Sequence, residues 1–413
     1  MDKIELLAPA GSFDALTAAI QAGADAVYFG VEQLNMRARS VNSFLLSDIK
    51  EISSRCRKNK IRSYITLNTI LYDHDMQLLK SILKEVKKQK IDAVIASDIA
   101  VIESCNQMKI PVHISTQSNV SNIEAVKFYA RFADVVVLAR ELTLKQVEGI
   151  TREIKKKKIT GFSGELLKIE AFVHGALCMA ISGKCYLSLH SQNASANRGA
   201  CIQNCRHSYT VTDTETKEEL VIDHEYIMSP KDLCTLPILD QVLKSGVNVL
   251  KIEGRTKGAD YVYTVTRCYR EALDAIRQKS FTQEKIDSWM KELATVYNRG
   301  FWEGYYLGQK LGQWSPVSGS AAIEKKIYIG KGTKYYPKIK IGEFLIEAGS
   351  IKQGDTLMIT GANVGLAKEK LDSLVVNGAP GNQASKGDKI TLPVTAKITS
   401  RDKIYKVVST IDG

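Results

Sequence analysis

Eight short apolar runs, separated by segments with helical spacing, constrain most strongly what the first 255 of these 413 residues can fold into. The runs lie at 4–10, 25–30, 61–68, 92–97, 112–116, 134–139, 168–175 and 248–254. Repetition of this kind is the pattern of successive βα units around a parallel sheet. Between the runs, SFDALTAAIQAG reads as a helix with Ser12 as N-cap and Gly23 as its stop, and NIEAVKFYARF carries apolar residues at helical spacing. Eight strands, seven connections and a following helix at YVYTVTRCYREALDAIR fit an α/β fold, a (β/α)8 TIM-like barrel. A doubly wound open sheet competes, but the first turn LAPAGSFD lacks the GxGxxG of a dinucleotide site. The stretch from Ala176 to about Ser245 becomes an insertion at the C-terminal face. From Ile323 onward the texture changes to short alternating strands with turn glycines, which predicts a small C-terminal antiparallel β-barrel. The expected units are a catalytic barrel over 1–315 and a binding or docking unit over 323–413.

Four of the eight cysteines cluster in the insertion, Cys178, Cys185, Cys201 and Cys205, spaced Cys-x6-Cys-x15-Cys-x3-Cys. Thiolates are soft ligands, so loops folding back could bring these four to one metal centre. The spacing matches neither a zinc ribbon nor the ferredoxin runs and does not by itself name a metal. Glycines 175, 183 and 199 beside the cysteines suit a compact inorganic cluster. An iron–sulfur cluster, zinc and free or disulfide-forming thiols all remain open on spacing alone. Cys56, Cys105 and Cys268 read as isolated core or surface thiols, with Cys234 a reserve ligand.

Lysine and arginine number 57 against 45 acidic residues, giving a net charge of +12 and a pI near 9.1. This surplus favours a polyanionic partner, although no RRM, KH or zinc-finger signature accompanies it. The lysine clumps at 84–90 and 155–158 read individually as solvated helix ends. No run approaches the roughly 18 apolar residues of a membrane span. The opening MDKIELLAPAGS has no secretory leader pattern, which points to the cytoplasm.

Polar residues just past barrel strands converge on one mouth, so they form a provisional site. These are Arg37 and Arg39 after the second strand, Asn68 after the third, Asp98 after the fourth, and Thr116 and Gln117 after the fifth. Arg140, His174, Glu253 and Arg255 end the last three. Arginines in such number suit carboxylates or phosphates, which accept paired N–H bonds from a guanidinium. Ion pairing at the rim is the competing role for Glu253 with Arg140 or Arg255, and a satisfied core group is that for His174. No GxSxG, HExxH or Asp–Thr/Ser–Gly pair is present.

At these residues the chain closely resembles the collagenase-like peptidases of undetermined catalytic type, family U-32. The resemblance rests on LLAPAGSFDAL, GADAVYFG, the segment Glu170 to Ser188, NRGACIQNCR, SPKDL, KIEGR and YNRGF, and covers essentially the whole chain. Within the family it looks most like the prephenate-dependent tRNA uridine hydroxylases, which make 5-hydroxyuridine at the wobble position. That resemblance implies a 4Fe-4S cluster on Cys178, Cys185, Cys201 and Cys205, tRNA as partner, prephenate as cosubstrate and a possible paralogous subunit. With the strand-end reading beside it, His174, Glu253 and Arg255 become the candidate catalytic residues and Arg37, Asn68, Gln117 and Arg140 the candidate substrate-binding residues. The alternatives it leaves are a collagen- or peptide-degrading hydrolase, and a noncatalytic RNA-binding or assembly factor with a structural cluster.

Overall fold

The computed structural model describes residues 3–38, 43–207, 209–217, 219–220, 228–317 and 319–410. Eight parallel strands close into a barrel: Glu5–Pro9, Ala26–Phe29, Arg62–Leu67, Ala93–Ala96, Val112–Ile114, Val135–Val137, Lys168–Gly175 and Val249–Ile252. Each falls within one of the eight apolar runs. Closure comes from the eighth strand, which pairs parallel with the first (Glu5↔Val249) and with the seventh (Val249↔Glu170). The open doubly wound sheet is thereby excluded. Strand residues are buried on both faces, which is why the runs are apolar without alternation.

One face of each strand packs outward on the helices through residues such as Leu6, Phe29, Ile65 and Val173. The other fills the barrel with Leu7, Tyr28, Tyr64, Ile95, Val135 and Val249. The first helix, Phe13–Gln21, is capped by Ser12, whose hydroxyl accepts from the Ala15 N–H, and it stops before Gly23 at φ 82°. The chain leaving the eighth strand enters the long helix Ala259–Arg277, which packs against the first helix and first strand.

Two strands added to the barrel sheet were not anticipated. Asp232–Cys234 adds to the seventh strand in antiparallel pairing (Leu233↔Gly175, Cys234↔His174) and receives Phe301–Trp302 on its other edge. At three residues it is too short to show a period. It anchors the returning end of the cysteine-bearing excursion to the barrel wall.

The C-terminal strands form an open antiparallel sheet, not the expected closed barrel. Its eight strands run in an order that begins at Gly365–Lys370 and ends at Ala379–Gly381, and these two edges do not pair. Phe344, Leu357, Ile390 and Ile404 are fully buried in its core. The edge at Gly365–Lys370 is covered by the barrel's first helix instead of by its own sheet. There the Gln21 side chain donates to Val364 O at 2.6 Å and accepts from Leu366 N at 3.1 Å, and Thr17 donates to Ala362 O at 2.7 Å. An edge protected in this way has no need to close on itself.

Candidate active site at the barrel mouth

The second, third, sixth and eighth strands deliver Arg37, Asn68, Arg140, Glu253 and Arg255 to one small cavity of about 90 Å3, floored by Tyr28, Phe172 and Lys251. Gln117, past the fifth strand, joins them and accepts from the Asn68 amide at 3.1 Å. The excursion folds over this cavity, and Gly183 lies so close that a Cβ there would sit 2.6 Å from Gln117 Cγ. Arg39 lies outside the described residues. Asp98 turns away to cap the helix Ile99–Gln107, accepting from Ala100 N, and to accept from Leu71 N.

Charge in the mouth is strongly biased. Burial opposes the charge on Glu253, but Arg37, Arg140 and Lys257 outweigh it and hold the carboxyl below its usual range. Arg37 donates to Glu253 at 3.4 Å. Burial likewise opposes the Arg37 charge, and Glu253 with the Cys178 and Cys201 sulfurs more than restores it. Arg255 is immobilised by bonds to Asn35 Oδ1 at 3.0 Å and Thr66 Oγ1 at 2.8 Å, and burial lowers its pKa to about 10. Arg140 lies 4.0 Å above the Phe172 ring and donates to Ala176 O, while its buried Nε has no partner among the described residues.

His174 ends the seventh strand as expected but lies behind the mouth. It is 2% exposed, ringed by Tyr261, Tyr269 and Phe301, and burial depresses its pKa to about 3. The imidazole is therefore neutral at physiological pH and holds no proton to donate as imidazolium.

Against the small cavity lies a larger one of about 420 Å3, bordered by Arg37, Arg140, Arg206, Arg299 and Lys257 with Glu253 as the carboxylate. The four clustered cysteines border it too. Cys178 and Cys201 are exposed, and Cys185 and Cys205 are half-buried. All four line one space, and the Cys178, Cys201 and Cys185 sulfurs act on Cys205 across it. Among the described residues no three His, Cys, Asp or Glu side chains are grouped to hold a metal ion. The expected 4Fe-4S cluster on these cysteines, and the zinc alternative, are corrected on that geometry. Cys234 is fully enclosed near Met290 and Tyr269, so it is no reserve ligand.

Sequence reasoning missed Lys257, Tyr297 and Arg299. The Lys257 ammonium sits 3.0 Å from the Tyr297 ring centroid, and burial with the Arg299 charge lowers its pKa to about 8. Lys257 lies two residues past the end of the KIEGR motif at Arg255, and its partners lie some forty residues downstream. Since Lys257 loses its charge as pH rises through about 8, affinity of the mouth for a carboxylate should fall about three- to tenfold from pH 7 to 9.5. Titration calorimetry of Lys257→Gln should show that dependence flattened.

Gly30 gives a second check. A Cβ there would lie 2.2 Å from Arg255 Nη1 and 2.8 Å from Asn35 Cγ, so Gly30→Ala must displace the pinned guanidinium. We expect about 1–3 kcal/mol of lost stability in urea denaturation. Gly149→Ala, with nothing within 4 Å of the added carbon on the helix Leu144–Lys157, should be neutral or slightly stabilising.

A closed parallel barrel with a charged, thiol-bearing mouth at its C-terminal face is the architecture of a barrel enzyme. The chain belongs to peptidase family U32: residues 11–316 match that family. A protein named collagenase from Porphyromonas gingivalis W83 is 50% identical over 406 residues, covering 98% of both chains. A second Porphyromonas gingivalis collagenase is 44% identical over 364 residues, 87% of this chain and 98% of its own. The tRNA hydroxylation protein P1 of Bacillus subtilis is 35% identical over 315 residues, 73% of this chain and 71% of its own.

The expected placement in the tRNA uridine hydroxylase branch is overturned by this ordering, because the proteins named collagenase are the more similar and match over more of the chain. With it fall the uridine hydroxylase activity, the tRNA and prephenate partners and the paralogous subunit, for which neither the relatives' ordering nor the donor geometry gives support. Among the described residues, no helix is long and apolar enough to cross a membrane.

Proposed function

We propose that this chain is a collagenase-like peptidase that cleaves peptide bonds at the barrel mouth, with the Cys178 thiol as nucleophile. The observation carrying this reading is that Cys178, together with Arg140, borders the small cavity, the large cavity and a third that adjoins them. A substrate chain crossing the mouth must pass this sulfur. Cys178 is exposed and lies in the field of Arg37, the partly exposed electropositive setting in which cysteines react. The names of the Porphyromonas relatives point the same way.

In this reading the sulfur attacks the scissile carbonyl carbon, and Arg140 and Arg37 receive the oxyanion. Neutral Lys257 takes the thiol proton during the attack and passes it to the amine as the C–N bond breaks; it then takes a proton from the water that attacks the thioester and returns it to the sulfur as the acid is released. Lys257, with its pKa near 8, is suited to give a proton and regain it. Glu253 orients Arg37; Asn68 and Gln117 bind the peptide amides; Arg255 fixes the floor of the mouth. His174 acts as a positioning residue through Tyr269, whose hydroxyl lies 3.5 Å from Nδ1 and donates to Val173 O at 2.7 Å.

Residues 1–315 would carry the chemistry and 323–413 the docking. We place the activity in the cytoplasm, because all eight cysteines carry free thiols, the usage of a reducing compartment. The test is digestion of denatured collagen and a peptide library, read by mass spectrometry of new termini. New termini that iodoacetamide abolishes support the reading; their absence under reducing conditions overturns it.

A further inference from the structure

The third cavity, about 150 Å3, is bordered by Cys178 and Arg140. The rings of Trp302, Tyr305 and Trp314 with Leu177 and Met179 form its apolar walls, and Arg140, Glu141 and Ser182 line the rest. Trp302 is 3% exposed and its indole N–H donates to Lys231 O at 3.1 Å. Trp302 and Tyr305 meet edge to face at 5.3 Å. The strap carrying Trp314 is fastened on both sides of that residue, by Lys231 N to Gln313 O at 2.9 Å and Ser315 N to Ser229 O at 2.8 Å. This is a built pocket, with rigid aromatic walls held by backbone bonds.

We propose that this cavity is the specificity subsite of the peptidase and that it takes a prolyl residue next to the scissile bond; this rests on the peptidase reading. Three observations select the occupant. The volume suits one residue and is below the roughly 300–1,000 Å3 of a small-molecule site. Aromatic walls pack well against a rigid, saturated ring, as in grooves that bind proline-rich segments. A prolyl residue has no N–H, so burying its backbone among rings leaves no donor unsatisfied. The cavity shares Cys178 and Arg140 with the reaction site, which places its occupant beside the carbonyl under attack.

The test uses the full chain and two capped peptides of glycine and alanine, identical except for one central proline or alanine. Binding is read by titration calorimetry and hydrolysis by chromatography. We expect the proline peptide to bind at least about tenfold more tightly, and this ratio to fall to within about twofold in Trp314→Ala. Gly312→Val gives a second route to the same result. Gly312 lines the cavity, and a Cβ there would lie 3.4 Å from Tyr305 Oη and 3.8 Å from the Trp314 ring, so added side-chain volume at this position competes with the occupant. Equal binding of the two peptides by the parent chain, or a ratio that survives both substitutions, overturns the subsite. Proline-selective binding with no hydrolysis of either peptide upholds the subsite and sinks the peptidase reading. Hydrolysis without selectivity does the reverse.

Discussion

Cys178→Ala is expected to reduce peptide hydrolysis by about a thousandfold or more, carried by kcat, while melting temperature stays near that of the parent chain. Removing a nucleophile removes the covalent route altogether. Binding by the arginines and by the aromatic cavity remains, so KM should move little. The stability half of the expectation follows from position. Cys178 is exposed, and a substitution there creates no cavity in the core. Cys201→Ser is the control, since Cys201 is also exposed but borders only the large cavity among the three. It should keep most of the activity. Equal losses in the two variants would contradict a nucleophile at Cys178 and point to a shared structural role for the thiols.

The largest effect on stability should come from Lys251→Met. Lys251 donates to Glu170 at 2.6 Å inside the barrel, and their side chains are 6% and 0% exposed. Burial lowers the Lys251 pKa and Glu170 opposes the loss of its proton. The ammonium also lies over the Tyr28 and Phe172 rings, at 4.7 and 5.4 Å. Replacing Lys251 leaves the Glu170 carboxylate buried and uncompensated. His113, 3.9 Å away, gives no help, because burial depresses its pKa to about 3 and keeps the imidazole neutral. We expect a loss of about 3–5 kcal/mol in urea denaturation. Lys251→Met combined with Glu170→Leu should recover most of it, since an apolar pair of similar volume carries no desolvation cost. A double variant as unstable as the single one would show that the charge itself is not the source of the penalty.

Much of the barrel was legible in the residues because strands buried on both faces must be apolar, and the helices between them must show one apolar stripe. The eight runs and the Ser12 cap are local signals of this kind. The short strand Asp232–Cys234 was not legible. Its existence depends on the edges offered by the seventh strand and by Phe301–Trp302, which lie far away in sequence. The C-terminal sheet was read correctly as antiparallel and wrongly as closed. Alternation records which face of a strand is buried; it holds nothing about whether the outermost strands meet.

The site divides in the same way. Residues at strand ends converge in any closed barrel, so Arg37, Asn68, Gln117, Arg140, Glu253 and Arg255 could be gathered from sequence order alone. His174 occupies the corresponding position but faces Tyr261, Tyr269 and Phe301, because side chains alternate and one residue reverses the direction. The cysteine spacing permitted a metal centre, and the folded excursion lines a cavity with the sulfurs instead. The tryptophans near Cys178 come from residues 302 and 314, a proximity with no trace in the local pattern. What the sequence by itself determined was the barrel and the polar identity of its mouth, since both follow from short-range periodicity. What only the tertiary structure decided was which of those groups face the open space and what faces them, because long-range packing sets the direction of each side chain.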